Sequence, residues 1–292
     1  MSSQRELSHS QNFIRHPELV GDLLELTSIG ETDLVVEVGP GKGMITRELI
    51  KRAGRVKAVE RDPQFAEELS LLRQQGDFQL VIDDFLEWQL PDEEYKVFSN
   101  IPFNYTADIV SKLTSSENLP TDIYLIMQKE AANRFAGAHT HNNSLTSILL
   151  GLDFSVRILR EIDRQQFEPV PGVDVVFVHF GRYDDSQLPR SLIPKEERQL
   201  FRDFVVYGFS QWAPTVLDAF RKIFTYRQRS IIAKTQKLEG LKPSELTLDQ
   251  WIGLFKTFRA YVSSKKKERV RGSEENLRIQ QEKVDKSHRT RK

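Results

Sequence analysis

Cysteine is absent from the 292 residues of this chain. The chain can therefore form no disulfide, offer no thiolate nucleophile and build no cysteine zinc site. Long apolar runs are also missing, since no stretch reaches the roughly 18 consecutive apolar residues of a membrane span. The amino terminus is polar and lacks an apolar segment of the signal-peptide type. These absences predict a soluble, cytoplasmic protein without a metal centre or a membrane partner.

The net charge is zero, but basic residues are concentrated at the carboxyl end. Residues 263–292 contain eleven Lys or Arg against five Asp or Glu, a charge of +6, which leaves −6 on residues 1–262. This tail has no aromatic residue and few aliphatic ones, so it is predicted to bury no core and to be disordered or a frayed helix when free. Its composition fits a solvated terminus and a phosphate-contacting arm equally well.

Short apolar runs alternate with amphipathic stretches in the first half of the chain, which is the pattern of a parallel sheet covered by helices. Two later runs, Phe154–Leu159 and Val175–Phe180, have only a turn-rich segment between them and are predicted to pair antiparallel at the sheet edge. Residues 1–184 are thus predicted to form an α/β domain with seven strands. The first five strands are predicted at Leu34–Val38, Val56–Glu60, Phe78–Ile82, Lys96–Ser99 and Asp122–Met127.

Beyond this domain the pattern becomes helical. A polar segment with two prolines, residues 185–194, is typical of a linker. Apolar side chains then recur at helical spacing, as at Trp251, Phe255 and Phe258. Residues 185–262 are therefore predicted to form a small helical domain, followed by the basic tail.

Glycines and acids occur where three successive predicted strands end. The first strand runs into Gly39-Pro40-Gly41-Lys42-Gly43, whose spacing fits neither the dinucleotide motif nor a P-loop. The second strand ends at Glu60, and Asp83-Asp84 follows the third. Each feature alone also fits a structural turn or a helix cap. Together they predict a nucleoside-bearing cofactor, because ligands of open α/β sheets bind at the carboxyl ends of the strands.

The fourth strand ends in Asn100-Ile101-Pro102-Phe103, and with this tetrapeptide the sequence resembles the rRNA adenine N6-methyltransferases. Among them it is most similar to the erythromycin-resistance (Erm-type) enzymes that act on 23S rRNA. The resemblance covers roughly residues 8–180 and includes Gln11-Asn12-Phe13, the glycine turn and Phe167–Asp174. It implies a Rossmann-like, seven-stranded S-adenosylmethionine-dependent methyltransferase fold with a small C-terminal helical domain.

The resemblance also assigns roles to residues. Asn100 and the Ile101–Pro102 backbone would accept hydrogen bonds from the target amine, and Phe103 would stack on the flipped adenine. Phe167 would supply a second aromatic face. S-adenosyl-L-methionine would contact Gln11, Asn12, Phe13, Glu37, Gly39, Pro40, Gly41, Glu60, Arg61, Asp83, Asp84, Phe85 and Asn100. The helical domain, residues 185–262, would bind RNA. RNA would contact Arg134, Lys265, Lys266, Lys267, Arg269 and Arg271.

The chemistry suits these residue types. An adenine amine is a weak nucleophile because its lone pair is delocalised into the ring. Acceptors beside it favour the positive charge that develops during attack, so positioning replaces a strong base. The predicted function is methyl transfer to the N6 amine of a specific adenine in 23S rRNA, carried out by a monomer. This activity confers macrolide–lincosamide–streptogramin B resistance.

Two alternatives stay open. Small-subunit (16S-type) rRNA dimethyltransferases of ribosome assembly usually carry Asn-Leu-Pro-Tyr and a proline shortly after the following threonine. This chain has Ile101, Phe103 and Ala107 at those positions, which favours 23S over 16S rRNA. The other alternative is a relative that keeps the cofactor pocket and only binds RNA, against which the intact tetrapeptide, Glu60 and Asp84 argue. Many relatives carry Tyr at the position of Phe103, a change that keeps the stacking face.

Overall fold

The computed structural model describes residues 12–137, 142–184 and 189–289, so the predicted contact Gln11 and residues 185–188 of the predicted linker lie outside the described residues. The chain divides into two compact units. The sheet unit takes in the residues up to Asn133 together with Phe154–Tyr183. The helical unit takes in Arg134–Asp153 together with the residues from Asp184 onward. The stretch 134–153, which the sequence pattern places in the first domain, belongs with the helices because Ile148 and Leu152 are buried in their core.

The strands of the described chain form a seven-stranded sheet and a separate two-stranded one. The large sheet has the order β4-β3-β2-β5-β6-β9-β7, and the small one pairs β1 with β8. In chain order they are β1 (Phe13–Ile14), β2 (Leu34–Val38), β3 (Arg55–Glu60), β4 (Phe78–Ile82), β5 (Lys96–Asn100), β6 (Asp122–Gln128), β7 (Phe154–Ile162), β8 (Phe167–Glu168) and β9 (Val175–Arg182).

The predicted α/β fold is confirmed, including the parallel group and the antiparallel edge. Strands β2 to β6 run parallel, and β9 pairs antiparallel with both β6 and β7. The predicted bounds hold to within one to three residues. The largest difference is in β7, which extends to Ile162 because it stays paired with β9 past an irregularity between Ile158 and Arg160.

Helices cover the large sheet. All five residues of β2 are buried, as expected for a central parallel strand. The helix after it starts at Gly43 and buries Ile45, Thr46 and Leu49 on one face. The helices up to residue 136 are α1 (Pro17–Leu24), α2 (Met44–Arg52), α3 (Ala66–Ser70), α4 (Thr106–Ser115) and α5 (Lys129–Ala136).

The helical unit has an aromatic core. The rings of Phe204 and Phe220 stack at 4.4 Å between centroids, and Trp251 meets Phe204 edge-on. A capping box of Thr247 and Gln250 starts the helix Leu248–Tyr261. No helix of the described chain is long and apolar enough to cross a membrane. The helices are α6 (Leu145–Leu150), α7 (Arg198–Ser210), α8 (Val216–Ala219), α9 (Tyr226–Thr235), α10 (Leu248–Tyr261), α11 (Ser264–Lys267) and α12 (Ser273–Arg289).

The basic tail contains α11 and α12, and it differs from its sequence-based prediction because part of it enters a core. Val270, between them, is fully buried in the aromatic core. The carboxylate of Asp203 accepts hydrogen bonds from the backbone N–H groups of Gly272 (2.9 Å) and Glu274 (3.0 Å). Glu274 in turn pairs with Arg202 of α7. One buried valine and one buried aspartate thus hold a segment whose composition is unfavourable for folding.

Candidate active site

The glycine turn after β2 depends on backbone conformations that favour glycine. Gly39, Gly41 and Gly43 have φ angles of 65°, 52° and 73°. The Phe13 ring lies against the turn, since a Cβ added to Gly41 would come within 2.7 Å of Phe13 Cε1. Around Gly39, by contrast, a Cβ would meet no atom within 4 Å. The turn is therefore closed by Phe13 on one side and open at Gly39.

Glu60, the last residue of β3, ties two strand ends together. Its side chain is 2 % exposed and accepts hydrogen bonds from the backbone N–H groups of Gly41 (2.9 Å) and Asp62 (2.8 Å). Burial raises the pKa of Glu60, and these hydrogen bonds oppose the rise. The carboxylate is thus fixed in place before any ligand arrives.

Glu37, inside β2, is the second buried acid of the site. It accepts a hydrogen bond from Thr46 Oγ1 at 2.7 Å. Desolvation by burial raises its pKa to about 8, with a smaller contribution from the charge of Glu60, against the lowering effect of the Thr46 hydrogen bond. Glu37 therefore carries a proton at neutral pH and can donate a hydrogen bond as well as accept one.

The two aspartates after β4 have different positions. Asp84 lines a pocket together with Glu60, Arg61 and Phe85, and its carboxylate accepts a hydrogen bond from the backbone N–H of Leu86 at 2.9 Å. Asp83 is exposed and accepts a hydrogen bond from the backbone N–H of Asp84. Of the predicted pair, the structure brings only Asp84 to the pocket.

Asn100 at the end of β5 is oriented by the amino-terminal segment. Its Nδ2 donates to the backbone carbonyl of Asn12 at 2.7 Å, which leaves Oδ1 as an acceptor. The carbonyl of Pro102 accepts a hydrogen bond from the Tyr105 N–H. The carbonyl of Ile101 receives none from any residue in the described ranges. Asn100 Oδ1 and the Ile101 carbonyl are therefore the two acceptors that the tetrapeptide offers to a ligand.

Two neighbouring pockets of the sheet unit share the lining residues Gly39 and Pro102. The first contains Glu60, Asp84 and Phe85 from the ends of β3 and β4. The second is lined by residues of β1, the glycine turn and the tetrapeptide, namely Asn12, Phe13, Ile14, Glu37, Gly39, Pro40, Lys42, Met44, Ile45, Asn100, Ile101, Pro102 and Phe103. The first pocket therefore offers the carboxylates of Glu60 and Asp84, and the second offers the two acceptors Asn100 Oδ1 and the Ile101 carbonyl.

Phe167 is not brought to this site. It lies in β8, opposite Ile14 of β1, and is fully buried in the core of the sheet unit. The sequence-based role as a second stacking face does not match this position, because the strand pairing turns the ring into the core. Phe167 instead supports β1, the strand that begins directly after Asn12.

Comparison with known proteins identifies the family of the chain. A model of the family "ribosomal RNA adenine dimethylase" matches residues 2–259. The chain belongs to this family. Its members include the rRNA adenine N6-methyltransferases, and the chain is an enzyme of that class.

Several relatives illustrate the range of the family. An rRNA adenine N-6-methyltransferase of Bacillus licheniformis is 30 % identical over 86 % of each chain. An rRNA methyltransferase of Streptomyces thermotolerans is 32 % identical over 87 % of this chain and 83 % of its own. The ribosomal RNA small subunit methyltransferase A of Fusobacterium nucleatum is 24 % identical over 88 % of this chain and 99 % of its own.

Solved structures agree on the fold. The 23S rRNA methyltransferase ErmE superposes with a TM-score of 0.75 at 23 % identity, over 85 % of this chain and 100 % of its own. A dimethyladenosine transferase from Plasmodium falciparum superposes with a TM-score of 0.69 at 20 % identity, over 85 % of this chain and 97 % of its own. These superpositions show that the chain has the fold of those two methyltransferases.

The basic residues assigned to RNA are divided between side chains with structural contacts and side chains at the surface. Lys266 Nζ donates to the carbonyl of Ile223, and Lys267 Nζ donates to the carbonyl of Arg259. Arg271 pairs with Glu268. The remaining three, Lys265, Arg269 and Arg134, are exposed members of the helical unit of this dimethylase-family chain.

Sequence reasoning missed two residues that shape the site. Thr46 holds Glu37, and Lys112 Nζ donates to the carbonyls of Leu86 (2.8 Å) and Trp88 (2.5 Å) in the loop that carries Asp84. Neither residue belongs to a motif with a recognisable spacing. Only their position on the helices α2 and α4, packed beside the strand ends, reveals them.

Proposed function

We propose that this chain transfers a methyl group from S-adenosyl-L-methionine to the N6 amine of a specific adenine in 23S rRNA and so confers macrolide–lincosamide–streptogramin B resistance. The observation that carries the proposal is Asn100, whose amide is held by the Asn12 carbonyl at the end of the pocket. A preset acceptor at that point suits an exocyclic amine, which has two hydrogens to donate.

The pocket residues fit this cofactor. Glu60 is fixed where a carboxylate can accept hydrogen bonds from ribose hydroxyls, and Asp84 and Phe85 line the same pocket for the adenine ring. The open face of Gly39 leaves room for a ligand against the backbone. Asn12 and Glu37 in the adjoining pocket would hold the amino-acid portion. When bound, the cofactor supplies an electrophilic methyl group on a sulfonium.

The catalytic contribution of the chain is positioning. Asn100 Oδ1 and the Ile101 carbonyl would each accept one hydrogen of the adenine amine, which fixes its lone pair toward the methyl donor. The same two oxygens stabilise the positive charge that develops on nitrogen. Phe103 is partly exposed at the pocket and would stack on the extruded base, repaying about 1–3 kcal/mol of the unstacking cost.

Two observations favour 23S rRNA as the substrate. The relatives at 30–32 % identity are named rRNA adenine N-6-methyltransferase or rRNA methyltransferase, whereas the small-subunit enzyme is 24 % identical. The tetrapeptide and its flank, with Ile101, Phe103 and Ala107, also resemble the Erm-type pattern.

The test is transfer of a labelled methyl group to two protein-free transcripts, 23S rRNA and 16S rRNA. We expect incorporation into 23S rRNA at one adenine, mapped by primer extension, and little into 16S rRNA. The Asn100→Ala variant serves as the inactive control. Incorporation into 16S rRNA or small-subunit precursor particles alone would replace the proposal by the small-subunit activity. Binding of both RNAs without transfer to either would indicate a non-catalytic relative.

A further inference from the structure

The helical unit carries a dense run of cations around α9. From Arg221 to Leu238 the sequence contains six Lys or Arg and no Asp or Glu. Arg229 pairs with Asp218, at 3.6 Å between Nη1 and Oδ1. The other five cations form no ion pair with any described residue. Uncompensated positive charge of this density repels itself and attracts polyanions.

Two exposed tyrosines belong to the same region. Tyr226 begins α9 and is 82 % exposed, and Tyr261 ends α10 and is 73 % exposed. The two helix ends lie against each other, because Gln228 Nε2 donates to the carbonyl of Tyr261 at 3.0 Å. Two large aromatic side chains are thus presented to solvent from adjoining helix ends rather than packed into the aromatic core.

Helix α11 lies beside them. Lys266 Nζ donates to the carbonyl of Ile223 at 2.9 Å, which fixes α11 against the segment that leads into α9. Its neighbour Lys265 is exposed and forms no ion pair among the described residues. We define the tyrosine–lysine face as the five exposed side chains that these contacts bring to one region: Lys222, Tyr226, Arg227, Tyr261 and Lys265.

We propose that the tyrosine–lysine face binds an unpaired segment of the rRNA substrate. Tyr226 and Tyr261 would stack on bases, and Lys222, Arg227 and Lys265 would contact the neighbouring phosphates. Aromatic rings interleaved with cations are the chemistry that binds single strands, because unpaired bases offer free faces. A duplex hides those faces, and its A-form helix is recognised mainly through backbone and shape. This inference rests on the proposed function, since it takes rRNA as the substrate.

The stacking part is tested with two double variants on the rRNA that the wild-type enzyme methylates. Tyr226→Ala/Tyr261→Ala should raise the KM for rRNA about tenfold or more and leave kcat unchanged, since each base–aromatic stack is worth about 1–3 kcal/mol. Tyr226→Phe/Tyr261→Phe keeps both rings and should behave like the wild type. The wild-type enzyme should also bind a single-stranded RNA more tightly than a duplex of equal length, and the alanine variant should abolish that difference.

The phosphate part is tested by salt dependence. Lys222→Gln/Arg227→Gln should lower the slope of log Kd for single-stranded RNA against log salt by about 1.4, because each phosphate that a cation neutralises on a single strand adds about 0.7 to the slope. A matched pair of exposed cations in the sheet unit, Lys51→Gln/Arg73→Gln, should leave the slope unchanged. Thermal melting should be the same for all variants, because every altered side chain is at the surface.

The possible outcomes test the tyrosine–lysine face and the proposed function separately. Unchanged KM in the alanine variant together with an unchanged salt slope in the glutamine variant would overturn the tyrosine–lysine face. Loss of binding to phosphatidylglycerol vesicles in these variants, with normal RNA binding, would overturn it too. A wild-type enzyme that methylates no rRNA would instead contradict the proposed function, and the direct binding measurements would still decide the inference.

Discussion

The sheet unit and the helical unit place their polar groups in opposite ways. In the sheet unit two glutamates, Glu37 and Glu60, are buried at the strand ends, and each accepts hydrogen bonds within the unit. In the helical unit the interior is apolar and aromatic, with Asp203 as a buried carboxylate that caps a helix, and the uncompensated cations lie outside. The difference teaches that buried acids are grouped at the strand ends of the first unit, while most charged groups of the second lie at its surface.

The physical basis of this difference is the backbone. Parallel strands end together at one edge of a sheet, where backbone N–H groups of the turns that follow, those of Gly41 and Asp62, hold the carboxylate of Glu60. Helices satisfy their own backbone groups internally and bury an apolar face against one another. The helical unit therefore carries most of its charged side chains at its surface.

Among substitutions that test the difference between the two units, we expect the largest loss of activity at Asn100. Asn100→Ala removes the oriented acceptor while leaving the nucleoside pocket intact, so kcat should fall at least about a hundredfold. Cofactor affinity, measured by calorimetry, should stay within a few-fold of the wild type. Asn104→Ala, four residues along and exposed, is the matched control and should be active. Near-normal turnover of Asn100→Ala would remove the assigned mechanism.

The next largest effect is expected on cofactor affinity at Glu60. Glu60→Gln replaces a buried carboxylate that accepts hydrogen bonds from two backbone N–H groups by an amide with a single acceptor oxygen. Loss of charge-assisted hydrogen bonds of about 1.5–3 kcal/mol should raise the cofactor Kd by about ten- to a hundredfold. RNA binding should be unaffected because the helical unit is untouched. Glu67→Gln, an exposed change in the same unit, should do neither.

A third effect concerns pH and the buried Glu37. Its pKa of about 8 in the folded chain lies above the ordinary 4.5 of an unfolded glutamate, so between these values only the folded state holds the proton. Stability of the wild type should therefore fall as the pH rises from about 5 to 8, by roughly 1 kcal/mol per pH unit relative to Glu37→Gln. Denaturant unfolding of both proteins at several pH values measures this. Parallel pH profiles would show that Glu37 is ionised in the folded state.

The smallest effect is expected at Lys112. Lys112→Met removes the donor to two carbonyls of the loop that carries Asp84 and Phe85, so that loop should loosen. We expect the KM for the cofactor to rise about threefold with kcat unchanged, a cost of well under 1 kcal/mol. Lys51→Met, an exposed lysine on α2, is the control. An unchanged KM would limit the role of Lys112 to packing.

The fold of the sheet unit could be predicted from the sequence almost strand by strand. Runs such as Leu34–Val38 are apolar throughout apart from one glutamate, and β2 is indeed buried along its whole length. The glycine turn, Glu60 and Asn100 could be placed at one edge because they follow successive strands. The local sequence pattern was sufficient to place these residues, because the carboxyl ends of parallel strands lie at the same edge of the sheet.

The same reasoning failed where distant residues decide the outcome. The tail is helical because Asp203, about 70 positions earlier, caps it and because Val270 enters the aromatic core. Phe167 is buried because β8 pairs with β1, more than 150 residues away in sequence. The aromatic and cationic side chains around α9 gave no motif, and only the exposure of Tyr226 and Tyr261 shows that they form a surface.

The sequence by itself determined the order of the strands, the acids Glu60 and Asp84 at the strand ends, and the tetrapeptide that starts at Asn100. Each of these features depends on residues that are near one another along the chain. Tertiary structure alone decided which atoms of the tetrapeptide are free to bind an amine, since the Asn12 carbonyl and the Tyr105 N–H engage the others. It also decided the protonation of Glu37, because burial, a property of the folded whole, raises the pKa of that carboxyl.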